Sequence, residues 1–168
     1  DLGLGPYSLT FTCIAVVGGV NANNMMDGLD GLCGLIVVSA LTLLTGMAYV
    51  AGHADVLTLS LILLLVVVVF LEFNYRFPSK RSARVFLGDS GTYVLGFMIA
   101  ALFLMASQRP YKGDVQVLTA VTALWLLSIP LVDIAGVIWR RTGGSRWPVD
   151  DDREHLHYML VDGGYSTE

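Results

Sequence analysis

Charge is what this sequence has least of. Only 14% of its 168 residues are Asp, Glu, Lys or Arg, against 55% hydrophobic, and the mean hydropathy is +0.67. Soluble domains carry about 25% charged residues, so a water-soluble globule is excluded for most of the chain. Cysteine is scarce too, with 2 in all. Cys13 and Cys33 lie in or beside apolar runs without metal-ligand or disulfide spacing, and are expected to be small buried hydrophobes. No basic n-region precedes the first apolar stretch and no small-residue cleavage site comes after it, which argues against a signal peptide.

What is present is apolar sequence in blocks. Cutting at charged and turn-rich positions leaves stretches near 9–20, 35–51, 56–73, 94–107 and 117–137. A spanning helix needs roughly 17–25 apolar residues. The expected fold is therefore all-α: a polytopic transmembrane helix bundle of about five spans, the first truncated or tilted, forming a single integral membrane domain over 1–168. Opening on Asp1 rather than Met, the chain is expected to be a fragment of a larger bundle.

Lys and Arg set the orientation. Arg76, Lys80, Arg81 and Arg84 lie in one connection and Arg140, Arg141, Arg146 and Arg153 in the C-terminal segment, whereas the alternate connections hold only Arg109 and Lys112. Positive residues favour the cytoplasmic side. Three segments, 21–34, 74–93 and 139–158, then face the cytoplasm, and all the dense polar motifs fall in them. His53, Asp55 and Asp114 are left to solvated outer turns.

The first polar segment contains Asn21, Asn24, Asp27 and Asp30, with Gly28, Gly31 and Gly34. On a helix, Asn24, Asp27 and Asp30 share a face, and the glycine strip permits close approach of another backbone or a ligand. Carboxylates at the edge of hydrocarbon are tolerated mainly beside water, a partner or an ion. A helix cap is the simpler use of one Asp, but it does not account for two acids and two amides on one face.

The second segment runs from Asn74 through Pro78 and four cations to Phe86-Leu-Gly-Asp89-Ser-Gly91. Pro78 stops a helix, and the glycines allow a tight backbone around Asp89. An acid read as lying on the buried side, among hydroxyls and cations, suits Mg²⁺ with a phosphate, since Mg²⁺ takes one or two carboxylates and leaves its other positions to water and phosphate oxygens. Cations reaching for lipid headgroups explain the basic residues but not Asp89.

The third segment, Asp150 to Tyr158, places His155 and His157 beside acids and Arg153. Two histidines at i and i+2 on a helix point apart and no further Cys or His ligand is supplied, which disfavours zinc; donors to a phosphate or sugar fit better, with a solvated acidic loop as the alternative. Asp133, inside the last span, either lines the cytoplasmic cavity or pairs with an unseen helix. Trp125, Trp139 and Trp147 suit core or interface positions.

In this order and separated by spans, Asn-x-x-Asn-x-x-Asp-Gly-Leu-Asp-Gly, Phe-Leu-Gly-Asp-Ser-Gly and Asp-Arg-Glu-His-Leu-His resemble the polyprenyl-phosphate N-acetylhexosamine-1-phosphate transferases, most of all the WecA-like enzymes. The MraY enzymes, which transfer phospho-N-acetylmuramoyl-pentapeptide, are more distant. The segment 121–141, with Leu124-Trp125, Ile129-Pro130-Leu131 and the Arg pair, is similar as well. The resemblance implies Asp27, Asp30 and Asp89 as catalytic acids and Asp89 as the metal ligand. It implies Phe86 stacked on uracil, Asn21, Asn24 and Asn74 lining the pocket, and Arg153, His155 and His157 at the sugar and diphosphate.

It further implies Mg²⁺ as cofactor, with Mn²⁺ as a substitute. The partners would be a UDP-N-acetylhexosamine, polyprenyl phosphate and membrane lipid, with a homodimer as an option and no nucleic acid. The location would be the inner (plasma) membrane, with the active site facing the cytoplasm. The implied reaction moves N-acetylglucosamine 1-phosphate from UDP-N-acetylglucosamine to undecaprenyl phosphate, releases UMP and initiates a cell-envelope polysaccharide such as lipopolysaccharide or teichoic acid. Tyr158 stands where the family usually has another His, and the family's Asp-Asp motif on an earlier loop has no counterpart here. A transporter is the rival class, but it calls for polar residues continuing to the opposite face.

Overall fold

In a computed structural model the described residues are 5–75, 83–108, 116–142 and 155–164, the side chains at 141–142 and 156–158 excepted. After a single 3₁₀ turn, Gly5–Tyr7, the helices are α1 (Ser8–Met25), α2 (Leu32–Ala51), α3 (Ala54–Asn74), α4 (Gly88–Ser107), α5 (Ala120–Leu126), α6 (Ser128–Thr142) and α7 (Leu156–Asp162). Among the described residues there is no strand. Helices α2, α3 and α4 are long and apolar enough to cross a membrane, and the bent pair α5–α6 makes a fourth crossing if it counts as one span. The chain is an all-α, multi-pass membrane protein.

Helices α2 and α3 form an antiparallel hairpin. Gly52, left-handed at φ 70°, ends α2, and His53 accepts a hydrogen bond from the Val56 N–H to start α3. His53 thus caps a helix, a more specific role than the solvated turn expected of it. Along α3 the buried positions are Val56, Ser60, Leu63, Val67, Leu71 and Asn74, a stripe spaced three or four apart on a helix otherwise apolar all round. Inside the hairpin the Thr45 hydroxyl donates to Ser60 Oγ at 3.0 Å, and Ser60 donates to the Leu57 carbonyl at 3.1 Å, which satisfies both hydroxyls where water is absent. The outward residues, among them Ile62, Leu65, Val66 and Val69, are exposed and face the lipid.

Helix α1 packs on α4 and α6. Its approach to α4 is close because Gly96 has no side chain: a Cβ there would lie 3.1 Å from Val20 Cα. The expected last span is broken at Leu127, with α5 and α6 meeting at 78°. Pro130 supplies the reason. It has no N–H for the carbonyl four residues back, and its ring crowds that turn, so a straight helix through 126–130 is unfavourable. Cys33 is buried as expected, but Cys13 is exposed on α1. Trp125 and Trp139 are exposed, as interface residues would be.

The Gly96 contact is with backbone, so it cannot be relieved by a rotamer change. Gly96→Val should force α1 from α4 and destabilise the protein by about 1–3 kcal/mol. Thermal unfolding in detergent measures this, and an unchanged midpoint would show that the two helices are not held together there.

Candidate active site

The connection after α1 does not continue as a helix. Residues 26–31 are turns, and Gly31, at φ 82°, starts α2 from the left-handed region. The expectation that Asn24, Asp27 and Asp30 share a helical face is therefore corrected: the Asp-Gly-Leu-Asp-Gly sequence favours a turn, and only glycine takes that φ at little cost. What approaches two of the glycines closely is a side chain and not the backbone or ligand expected. A Cβ on Gly31 would come within 2.5 Å of the Tyr75 ring, and one on Gly34 within 2.6 Å of Leu71.

Asn74, at the end of α3, fastens this turn to the next polar segment. It is 3% exposed. Its Oδ1 accepts the Gly31 N–H at 2.7 Å and its Nδ2 donates to the Val85 carbonyl at 2.8 Å. Four residues after Val85, Asp89 stands in the first turn of α4, where the exposed N–H groups and helix dipole favour negative charge. Asp89 is exposed rather than on the buried side as expected, because its helix begins at the open end of the bundle.

The three carboxylates share one electrostatic neighbourhood. Partial burial pushes the Asp27 carboxyl above the usual carboxylate range; a hydrogen bond from the Gly88 N–H offsets part of this, while Asp30 and Asp89 push it further up. Acids expected from two connections thus meet at one end of the bundle. Among the described residues, no three His, Cys, Asp or Glu side chains are set to enclose a metal on their own. Mg²⁺ does not require such a cage, and carboxylates that repel one another with an open side suit a hard cation shared with phosphate.

Two residues not singled out in the sequence complete the scaffold. Asn23 is buried; its Nδ2 donates to the Thr92 carbonyl at 3.1 Å, and its Oδ1 accepts from Cys33 Sγ at 3.5 Å, joining α1, α4 and α2. Thr92 is fully buried, donates to the Asp89 carbonyl at 2.8 Å, and hydrogen-bonds the Asn24 side chain. The signal in the sequence is spacing: Thr92 comes three residues after Asp89, and Asn23 lies on a different face of α1 from Asn21.

Asn21, expected to line the pocket, is exposed, its Nδ2 spent on the Val17 carbonyl one turn back at 2.9 Å, so it is not drawn into the cluster by that bond. Phe86 is 71% exposed at the mouth, two residues before Gly88. His155 is buried, and its Nδ1 lies 2.8 Å from Asp133 Oδ2 on α6, so Asp133 pairs within this chain and not with an unseen helix. His157 lies in α7 with its side chain outside the described residues, and Arg153 lies outside them altogether, as do Arg76, Pro78, Lys80 and Arg81.

A family model described as glycosyl transferase family 4 matches residues 1–107, which include the acidic turn and the Asp89 motif. The chain belongs to that family. Proteins named undecaprenyl-phosphate alpha-N-acetylglucosaminyl 1-phosphate transferase in Yersinia pestis and Escherichia coli K12 are 29% and 28% identical to it over 167 residues, 99% of this chain and 44% of theirs. One of the same name in Haemophilus influenzae is 32% identical over 121 residues, 72% of this chain and 33% of that protein. The chain thus spans less than half the length of these relatives. No solved structure matches it.

The scaffold and its charges can each be tested. Asn74→Ala leaves the Gly31 N–H and the Val85 carbonyl without their partner, and should destabilise the family 4 fold by about 2–6 kcal/mol at roughly 1–3 for each of the two groups, read by thermal unfolding in detergent. For Asp27, a raised pKa means the folded state holds a proton that the unfolded chain has released. Its stabilising contribution is full below the ordinary carboxylate value and is lost as pH rises through the raised one. In metal-free buffer, Asp27→Asn should flatten that fall in the unfolding midpoint; a slope identical to wild type would remove Asp27 as its source.

Proposed function

We propose that the intact protein transfers N-acetylglucosamine 1-phosphate from UDP-N-acetylglucosamine to undecaprenyl phosphate and releases UMP, at the cytoplasmic face of the inner membrane, as the first step of a cell-envelope polysaccharide. The observation that carries this reading is the Asn74 clamp, which fastens the turn bearing Asp27 and Asp30 to the segment leading into Asp89, about sixty residues on, at one end of an apolar bundle. The names of the similar proteins carry the same acceptor, undecaprenyl phosphate, and the same transferred group, N-acetylglucosaminyl 1-phosphate. A membrane location suits an acceptor whose apolar tail stays in the bilayer while its phosphate lies at the interface.

In this reading an oxygen of the acceptor phosphate attacks the β-phosphorus of the nucleotide sugar, and the bond to the α-phosphate breaks, releasing UMP. One phosphoanhydride replaces another, so little driving force is required. The protein's work is to align two anions and offset their repulsion. Asp89 would hold the cation, with Asp27 and Asp30 as the other acids of the site, while Asn24 and Asn74 keep the walls in place. The first turn of α4 presents N–H groups to phosphate. Phe86, exposed at the mouth, offers a face for the uracil ring. Arg153, His155 and His157 act on the sugar and diphosphate. Mg²⁺, or Mn²⁺ in its place, would supply positive charge against the diphosphate when bound.

The test is UMP release by the intact protein in lipid nanodiscs with undecaprenyl phosphate and Mg²⁺. Turnover of UDP-N-acetylglucosamine is expected, and Asp89→Asn should lower it by about a hundredfold or more. Full turnover in that variant would remove Asp89 from the metal role. Preference for UDP-N-acetylmuramoyl-pentapeptide would replace the sugar assignment with the MraY-like one. Independently of turnover, Mg²⁺ should raise the unfolding midpoint of wild type and leave that of Asp89→Asn unmoved.

A further inference from the structure

Asp133 is a carboxylate on a bundle helix, 4% exposed, and lies outside the stretch that the family model covers. A buried carboxylate is costly unless it is paired and hydrogen-bonded, and such acids in membrane helices commonly serve a function. Its partner is His155, 22 residues later, with Nδ1 at 2.8 Å from Oδ2 and both side chains nearly enclosed.

The pairing determines more than the comfort of one acid. His155 is the residue preceding α7, in an extended conformation at φ −72° and ψ 148°, and its side chain makes no capping bond to that helix. The ring is turned to α6 instead. Because a carboxylate only accepts, Nδ1 carries the proton, which leaves Nε2 an acceptor in the neutral ring and makes it a donor to an anion only when the ring takes up a second proton. Since α6 packs on α1, and α1 leads directly into the turn carrying Asp27 and Asp30, the pair ties the histidine segment to a helix packed on the one that enters the acidic turn.

We infer that Asp133 is a positioning residue: through His155 Nδ1 it fixes the tautomer and orientation of that imidazole, and it anchors the segment leading into α7 against α6, where the ring can meet the diphosphate of the donor. The second half of this inference rests on the proposed transferase reading. The first half rests on the contact alone.

The two are separable by experiment in the intact protein. With ¹⁵N-histidine label, wild type should show one ring signal locked in the Nδ1–H tautomer, and Asp133→Asn, whose amide can donate as well as accept, should release it into mixed tautomers. Asp133→Glu should restore the lock in part. In the UMP assay, Asp133→Asn and His155→Gln should each lower kcat/KM by about ten- to a hundredfold, the range that partners orienting a ligating histidine carry. The double variant should be no worse than either alone, because residues acting as one unit are not additive.

A tautomer unaffected by Asp133→Asn, in protein with a wild-type unfolding midpoint, overturns the pairing. Losses that multiply in the double variant overturn its role in catalysis. A wild-type protein that releases no UMP removes the transferase reading instead, and the ring signal then decides the positioning of His155 by itself.

Discussion

The polar end of this bundle depends on one side-chain amide. Asn74 closes α3 with both halves of its carboxamide engaged, accepting from the turn before α2 and donating to the stretch of chain before α4. Neither partner is near the other in sequence, and both are backbone groups whose hydrogen-bonding capacity is met by this one amide. A buried donor or acceptor left unsatisfied costs about 1–3 kcal/mol. The clamp therefore settles two solvation problems and one geometric problem at once: it brings the turn bearing Asp27 and Asp30 to the loop that ends at Asp89.

The consequence of that convergence is electrostatic. Three acids gathered at the mouth of an apolar bundle repel one another, and the protein answers with the Gly88 N–H at Asp27 and the first turn of α4 around Asp89. These are dipoles and not full charges, so the compensation is partial, and Asp27 remains above the usual carboxylate range. A site left in this condition favours a proton or a cation. The same repulsion that costs stability in the empty protein is thus a source of affinity when positive charge arrives.

Much of this was legible in the sequence, for particular reasons. The blocks of apolar residues permit few folds other than a membrane bundle, and the acids were conspicuous because so little else is charged. The features that were not legible are equally specific. Residues 27–30 sit where a helical spacing and an Asp-Gly turn predict different things, and Gly31's positive φ decided for the turn. The inward face of α3 could not be told from its lipid face by hydrophobicity, since both are Leu and Val; Ser60 and Asn74 mark it, but only once the packing is known. The 78° break needed the position of Pro130 relative to a particular helical turn. The partner of Asp133 lies 22 residues away across a connection, a distance that no periodicity spans.

The division of labour between neutral and charged groups has a physical rationale. The bonds through which Asn74, Asn23, Asn24 and Thr92 fix the acidic mouth are made by amides and hydroxyls. Such groups do not titrate near neutral pH, so a change of pH at the mouth neither protonates nor deprotonates these bonds. Had ion pairs stood in their place, each ligand charge would compete with the scaffold, and binding would loosen the walls it needs. Asp133, a carboxylate built into the interior, faces an imidazole at the third segment, so buried charge is used where the chain must be both held and chemically responsive.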